Sequence, residues 1–496
     1  MKALEAYKKC LTEIATLGSA LSILSWDQQT NMPKKGIAAR SQVAGKLSKM
    51  AFELSVSDEL GRYIEDLESQ PDLSEIEKAS VARVGKEYRR HKAIPPEVVE
   101  ELTITRSQAQ SAWVKAREAS DFSQFEPLLA KMVSFQQRFA EYFGYEEHPY
   151  DALLEGFEPG LTVKKLKGII EPLRKETVPF LKRLMAEGTA PDTSILDGSF
   201  DIDAQRALTR EALELITYDF DAGNLSDVAH PFTITIAPGD VRVTNRYLEK
   251  EIFPGLFGAL HEGGHALYNQ GMPEELFYLE LANGSSNGIH ESQSRMIENL
   301  IGRSLPFWTY FQPQMAKHFP QFASTSPEAL FGAANVVRPS LIRVEADEVT
   351  YNFHIMVRFE LERGLIDGSV RVADLPRLWN EAMEEYVGVV PPNDALGVLQ
   401  DVHWSMGMFG YFPSYMLGNL YAAQLYTSIR EAIPSLDDQI QSGNLRPLVE
   451  WLRENVHRHG GVYEPDELMQ RITGSSLDSS HYVRYVVDKY SDIYAL

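Results

Sequence analysis

Cysteine is almost missing from this chain: among 496 residues only Cys10 carries a thiol. No intrachain disulfide can form, which points to a reducing compartment. Long apolar runs are missing as well. No stretch approaches the roughly 20 residues needed to cross a bilayer, and Met1 to Ile14 is interrupted by Glu5, Lys8, Lys9 and Glu13, unlike the core of a signal peptide. The expectation is a cytoplasmic protein that does not engage membranes. Positive charge is scarce, with 48 Lys and Arg against 70 Asp and Glu and a formal net charge of -22. That balance argues against nucleic acid, whose phosphates need clustered basic side chains. Internal repeats and low-complexity tracts are also lacking.

What is present is a succession of helical patterns. Ala3 to Leu24 is the first, followed by a break of mixed polar and aromatic residues from Trp26 to Pro33. Ala38 to Gln70 continues helically, and Pro71-Asp-Leu-Ser74 makes a turn and cap. Ser74 to His91 reads as a solvated helical face. Further helices run from Pro95 and Pro96 to about Ala119, from Phe125 to Phe143, from Val163 to Glu187 and from Asp203 to about Tyr218. Gly188 to Asp197 is the most linker-like segment, yet helix resumes at once, so no domain boundary is placed there. The only β signal is Phe232 to Ala237, alternating with period two, then Pro238-Gly239-Asp240 as a turn and Val241 to Asn245 alternating again. Such a hairpin serves either as a structural element or as an edge for an extended peptide. The stretch after Gly271 is irregular to about Gly288, with Asn283 to Gly288 the loosest section. The expected fold is mainly α, a single domain over 1–496. It has a helical N-terminal region (residues 1–220), a catalytic core of about 225–420 and a helical C-terminal region (residues 421–496).

The chemistry concentrates in Phe253 to Gly271. Pro254 suits the first turn of a helix, and Gly271 followed by Pro273 stops it. On that helix His261 and His265 stand one turn apart on one face and can grip a single ion. Glu262 lies about 100° round from His261, within reach of a water on that ion. This is the H-E-x-x-H arrangement of zinc peptidases, in which the metal acidifies water and the glutamate takes its proton. Gly263 and Gly264 sit mid-helix, where each costs about 1 kcal/mol relative to Ala. A substrate or another backbone must therefore come close to that turn. A catalytic zinc takes three protein ligands, and Glu274, Glu275, Glu280, His290, Glu291 and Glu298 are the downstream candidates for the third. Of the neighbours His290 and Glu291 only one can face the ion.

Six motifs in order extend this pattern along the chain: His230-Pro231-Phe232, Asp240-Val-Arg242-Val-Thr244, His261-Glu-Gly-Gly-His265, His290-Glu291-Ser292-Gln293, Ile342-Arg343-Val-Glu-Ala-Asp347, and Gly397-Val-Leu-Gln400-Asp401-Val-His403-Trp404. With them the chain resembles, over essentially its full length, the metallocarboxypeptidases of the carboxypeptidase Taq type, peptidase family M32. The resemblance implies His261, His265 and Glu291 as metal ligands and Glu262 as general base. It implies zinc, Zn2+, with Co2+ as a substitute. It further implies a helical saddle-like body with a deep groove and one small sheet beside the active-site helix, paired as a homodimer. The implied activity is release of single C-terminal residues from peptides, with broad side-chain tolerance.

The remaining roles follow from what such a reaction demands. A donor must face the developing oxyanion, and His403 is the candidate, with Tyr411 or Tyr415 as phenolic partner. Either tyrosine serves equally well as a buried aromatic with a satisfied hydroxyl. A free C-terminal carboxylate is best met by a guanidinium fork, and Arg343 is the choice, with Arg338 in reserve. A structural salt bridge from Arg343 to Glu345 or Asp347 is the competing reading. His230 binds substrate or caps the hairpin, and Asp240 with Arg242 forms a structural pair. His354 is expected to be a satisfied helix histidine, and His457 and His459 to be surface or structural. The alternatives in function are an oligopeptidase or dipeptidyl carboxypeptidase with the same ligands, and a peptide-binding scaffold without turnover.

Overall fold

The computed structural model describes residues 2–496. The fold is mainly helical, with one small three-stranded sheet among the described residues. No helix there is long and apolar enough to cross a membrane. Local rules account for several helix starts. Ser74 and Glu77 form a reciprocal capping box: Glu77 N donates to Ser74 Oγ at 3.2 Å and Ser74 N to Glu77 Oε2 at 2.9 Å, opening the helix Glu75–Ala93. Thr162 caps Val163–Glu187 through Lys165 N, and Ser286 caps Asn287–Arg295 through Ile289 N.

Elsewhere the structure departs from the reading of the sequence. The first helix, Lys2–Thr30, runs through Trp26 and ends only before Pro33, where proline restricts the residue ahead of it. The 38–70 stretch is cut at Ser57, which caps Leu60 N and separates Ile37–Ser55 from Asp58–Glu68. The helix Glu75–Ala93 is more than a solvated face. Its buried Ser80 donates to Leu279 O and its Arg83 to Gly284 O. The 283–288 loop, expected to be loose, is pinned by Ser285 Oγ donating to Tyr463 O at 2.6 Å.

The chain forms two compact units. The first comprises residues up to His91, Asp192–Ala334 and Leu425–Ser476; the second comprises Lys92–Pro191, Asn335–Gln424 and Leu477–Leu496. One passage from unit to unit, between Pro191 and Asp192, falls inside the linker-like Gly188 to Asp197 segment. The first unit holds the sheet. Strands β1 (Leu225–Asp227), β2 (Thr233–Ala237) and β3 (Asp240–Asn245) lie in the order β1-β3-β2. β2 and β3 form the expected antiparallel hairpin, with Thr233 opposite Val243 and an irregularity between Thr235 and Ala237. β1 pairs parallel with β3, a strand beyond the expected hairpin, since three residues are too few to show a period. The helix Phe253–Gly271 packs on β3 and on the helices Ile202–Leu215 and Asn287–Arg295. Its buried Leu256, Phe257, Leu260 and Leu267 fix which face turns inward. Phe253 and Phe257 also pack against Trp308.

The second unit is built round the helix Tyr351–Asp367, which is buried nearly all round. His354 lies on it, fully buried, and here the expectation of a satisfied histidine fails: neither ring nitrogen has a hydrogen-bond partner. Burial, followed by the nearby Arg358 and Arg343 charges, pushes its pKa down to about 3. An unfolded imidazole titrates near 6.5. Between those values the unfolded chain binds more protons, so this contribution is whole above pH 6.5 and declines as pH falls toward 3. At pH 5 the deficit is about 2 kcal/mol at ~1.4 kcal/mol per pH unit. The variant His354→Leu should melt no lower than wild type at pH 7.5 and gain on it progressively as pH is lowered to 5. Parallel melting profiles across that range would rule out His354 as the titrating group.

Candidate metal centre

Two elements of the first unit bring three donors together. His261 and His265 project from the helix Phe253–Gly271, and Glu291 from Asn287–Arg295. One ligand atom from each lies within 4.8 Å of the others. Glu291 Oε2 is 3.7 Å from His261 Nε2 and 3.4 Å from His265 Nε2. Two imidazole nitrogens and a carboxylate oxygen are the donor set of a catalytic divalent ion, so the residues fit the metal that the sequence calls for. His290 turns away. Its Nε2 donates to Asn269 Oδ1 at 3.0 Å, and its ring stacks on His265 with centroids 4.5 Å apart.

Mid-helix glycine explains how Glu291 arrives. A Cβ on Gly264 would stand 2.5 Å from Gln293 O and 2.6 Å from Ser294 Cα, the backbone of the Glu291 helix. On Gly263 it would meet Ile216 and Leu213 side chains at 2.6 and 2.7 Å. The close neighbour demanded by these glycines is thus another backbone at one and core side chains at the other.

Both histidines are oriented from behind. His261 Nδ1 lies 2.9 Å from Glu298 Oε2, and His265 Nδ1 lies 3.1 Å from His290 O, so each presents Nε2 toward the ion position. Arg295 ties the carboxylates together, donating from Nε to Glu291 Oε1 at 2.7 Å and from Nη1 to Glu298 Oε2 at 3.2 Å. Arg303 adds a contact to Glu298 Oε1 at 3.2 Å. Burial opposes ionisation of both carboxyls. Arg295 and His261 outweigh it, holding Glu291 well below the usual range and bringing Glu298 down to about 2. Burial likewise disfavours a charged His261, but Glu291 and Glu298 reverse the balance and raise its pKa.

Glu262 is buried beside the triad and is held by the hairpin: Thr233 Oγ1 lies 2.8 Å from both Glu262 Oε2 and Glu262 O. β2 therefore positions the glutamate. His230 is exposed in the segment before β2 and does not cap the hairpin, whose turn lies at Pro238 and Gly239. Asp240 and Arg242 form the expected pair, with two bonds of 2.7 Å, and Arg242 stacks on Trp26 at 4.4 Å.

The other expected residues gather in the second unit. Arg343 is buried. It donates from Nε and Nη2 to Asp401 Oδ1 at 3.1 and 3.0 Å and from Nη1 to Tyr351 OH at 3.0 Å. Its ion-pair partner is Asp401, not Glu345 or Asp347. Asp347 instead accepts from Arg338 N and from the backbone of Val349 and Thr350. His403, Tyr411 and Tyr415 lie together. His403 Nε2 is 3.4 Å from Tyr415 OH, the His403 and Tyr411 centroids are 5.6 Å apart, and Tyr411 meets Tyr415 edge-on at 5.1 Å. Arg343 stands over the Tyr415 ring at 4.7 Å.

A family model described as carboxypeptidase Taq (M32) metallopeptidase matches residues 6–490. The chain belongs to that family. Carboxypeptidase 1 of Bacillus subtilis is 43% identical over 488 residues, covering 98% of this chain and 97% of that protein. Thermostable carboxypeptidase 1 of Thermus thermophilus is 40% identical over 494 residues, 97% of each. The crystal structure of the M32 carboxypeptidase from Deinococcus radiodurans R1 superposes with a TM-score of 0.97 at 34% identity, covering 100% of both chains. The protein is accordingly a metallocarboxypeptidase, a peptide hydrolase.

Four supporting residues of the M32 centre escaped the motif reading. Glu298, a ligand candidate by sequence, braces His261 instead. Arg295 and Glu298 follow Glu291 at four and seven residues, a helical face that was there to be read. Thr233 carried no signal beyond its place in the strand. His457, taken as surface or structural, is fully buried and its Nε2 lies 3.0 Å from Gln293 Oε1.

Two substitutions test this account. Gly264→Ala drives a methyl into the Gln293–Ser294 backbone of the helix that bears Glu291, so bound divalent ion after dialysis should fall while the helical circular dichroism persists. Glu298→Gln keeps the shape but weakens the brace on His261, and metal affinity should drop about 10- to 100-fold. Wild-type affinity in either variant, titrated against a competing chelator, would contradict the geometry.

Proposed function

We propose that this M32 enzyme releases single amino acids from the C-terminal end of peptides, tolerating many side chains. In this reading His261, His265 and Glu291 hold a zinc ion, for which cobalt can substitute. The observation that carries it is the convergence of two imidazole nitrogens and a carboxylate oxygen within 4.8 Å, with Glu262 on the same helical turn. When bound, the ion supplies Lewis acidity, lowering the pKa of water toward about 7 and polarising a carbonyl. Glu262 is the general base. Thr233 steadies one of its oxygens, Oε2, and the other takes the proton of the attacking water and returns it to the leaving amine.

His403 is assigned to the negative charge that develops on the carbonyl oxygen. Burial, reinforced by Arg343 and Arg358 against the opposing Asp401, pushes its pKa down to about 4, so near neutrality it acts as an N–H donor. The 3.4 Å approach of the Tyr415 hydroxyl favours Tyr415 over Tyr411 as its phenolic partner. Arg343 is assigned to the substrate carboxylate. Three of the five N–H groups of a guanidinium are engaged by Asp401 and Tyr351, and two remain. The exposed Arg338 is the reserve. His230, ahead of the sheet's end strand β2, is assigned to the peptide chain. A cytoplasmic location is supported by the lone Cys10, and a homodimeric state by the family resemblance alone.

The decisive assay is mass spectrometry of an unrelated peptide incubated with the enzyme before and after chelation. A ladder shortening from the C-terminal end, abolished by the chelator and absent for the amidated peptide, is the expected result. Internal cuts in the amidated peptide would favour an oligopeptidase instead. Glu262→Gln should retain its metal while kcat falls about 10²- to 10⁴-fold; undiminished turnover would remove Glu262 from the role of base.

A further inference from the structure

The helix Tyr351–Asp367 carries three fully buried polar residues at intervals of four, His354, Arg358 and Glu362, which share one face. Two of them reach the segment that bears His403 and Tyr411. Arg358 donates from Nε and Nη2 to Asp401 Oδ2 at 2.7 and 2.5 Å, and from Nη2 to Gln400 Oε1 at 2.8 Å. One turn on, Glu362 Oε1 accepts from Trp404 Nε1 at 2.7 Å. Its Oε2 accepts from Gly410 N at 2.9 Å and from the Tyr150 hydroxyl at 2.5 Å. The carboxyl thus bonds the residue after His403 with one oxygen and the residue before Tyr411 with the other.

The hydrogen-bond partners of Glu362 are an indole, an amide and a phenol, none of them a cation. Burying a carboxyl on such terms is costly, and burial pushes its pKa up to about 7. The chemistry of the site explains why the residue is nonetheless a carboxyl. Donors approach both ends of the group, and only a carboxylate accepts at both; a glutamine would set an N–H₂ against one of them. The turn it spans has few alternatives. Gly407 and Gly410 adopt φ of 77° and 91°, and a Cβ on Gly410 would meet the Leu153 carbonyl carbon at 2.9 Å. Trp404 is wedged edge-on against Trp379, with centroids 6.0 Å apart, and stacks on Phe409.

We propose that Glu362 is a positioning residue, clamping the 403–411 turn at both ends so that His403 holds its place for the reaction. This rests on the assignment of His403 to the peptidase reaction given above. Small displacements of such groups are expensive, about 10²-fold in rate for 1 Å. They act on turnover rather than on substrate capture.

The test uses the metal-loaded full-length enzyme, with rates expressed per folded, metal-bearing molecule. Glu362→Gln should lower kcat roughly 10- to 100-fold with KM within about twofold and metal content unchanged. Trp404→Phe removes the indole N–H while keeping an aromatic ring, and should lower kcat in the same direction if Glu362→Gln fails to fold. The double variant should lose no more than the worse single one, because both act through one contact. Wild-type kcat in folded Glu362→Gln, or losses that multiply in the double variant, would overturn the proposal. A purely structural role would lower the melting temperature and leave kcat and KM of the folded fraction alone. His403→Gln, assayed in parallel, separates the two levels. If it turns over normally, the assignment of His403 fails and the clamp with it; if it is inactive while both clamp variants are normal, the clamp alone fails.

Discussion

Everything in the metal centre depends on how closely two helices approach at Gly264. The helix bearing His261 and His265 offers no side chain at that point, and the backbone at Gln293 and Ser294 fills the space that a Cβ would take. Glu291 sits two residues earlier on the partner helix, so the same approach brings its carboxylate within 3.4 Å of His265 Nε2. Two glycines in mid-helix weaken the isolated element by about 1 kcal/mol each. Leu256, Leu260, Leu267 and the Phe257–Trp308 contact offset that through burial.

Once the helices are in contact, charge arranges the details. The buried Glu291 and the largely covered Glu298 share Arg295, and Glu298 also leans on Arg303 and His261. Buried ion pairs contribute little net stability, because desolvation cancels much of the attraction. What they do here is fix direction: each imidazole has its Nδ1 spoken for and its Nε2 turned inward. In the second unit the same device recurs, with Asp401 between Arg343 and Arg358. The large net negative charge of the chain has no role in either arrangement, which is decided by neighbours within hydrogen-bonding distance.

Much of this was legible beforehand because it is local. The boundaries of the Phe253–Gly271 helix follow from Pro254 and from Gly271 with Pro273, the β2–β3 hairpin from its alternation, and the Ser74 cap from a side chain that bonds within one turn. What escaped was non-local. The first helix runs on through Trp26, whose ring packs with Arg242 more than two hundred residues away in sequence, and no window of sequence contains both. β1 is three residues long and exists because β3 offers it a partner. The 283–288 loop has a flexible composition and is nevertheless held by Tyr463.

By itself the sequence determined the helical class, the two histidines on one face, the glutamate next to them and the need for a near neighbour at Gly263 and Gly264, since each follows from spacing within a single turn. Spacing alone left Glu274, Glu275, Glu280, Glu298 and one of His290 and Glu291 in contention. The family resemblance named Glu291, and in the fold it is Glu291 that faces the histidines while Asn269 engages His290. Only the tertiary structure decided which carboxylate braces His261, which acid pairs with Arg343, and that His354 is buried without a partner. Those outcomes depend on side chains brought together from separate segments, and their identity is set by packing rather than by any local preference.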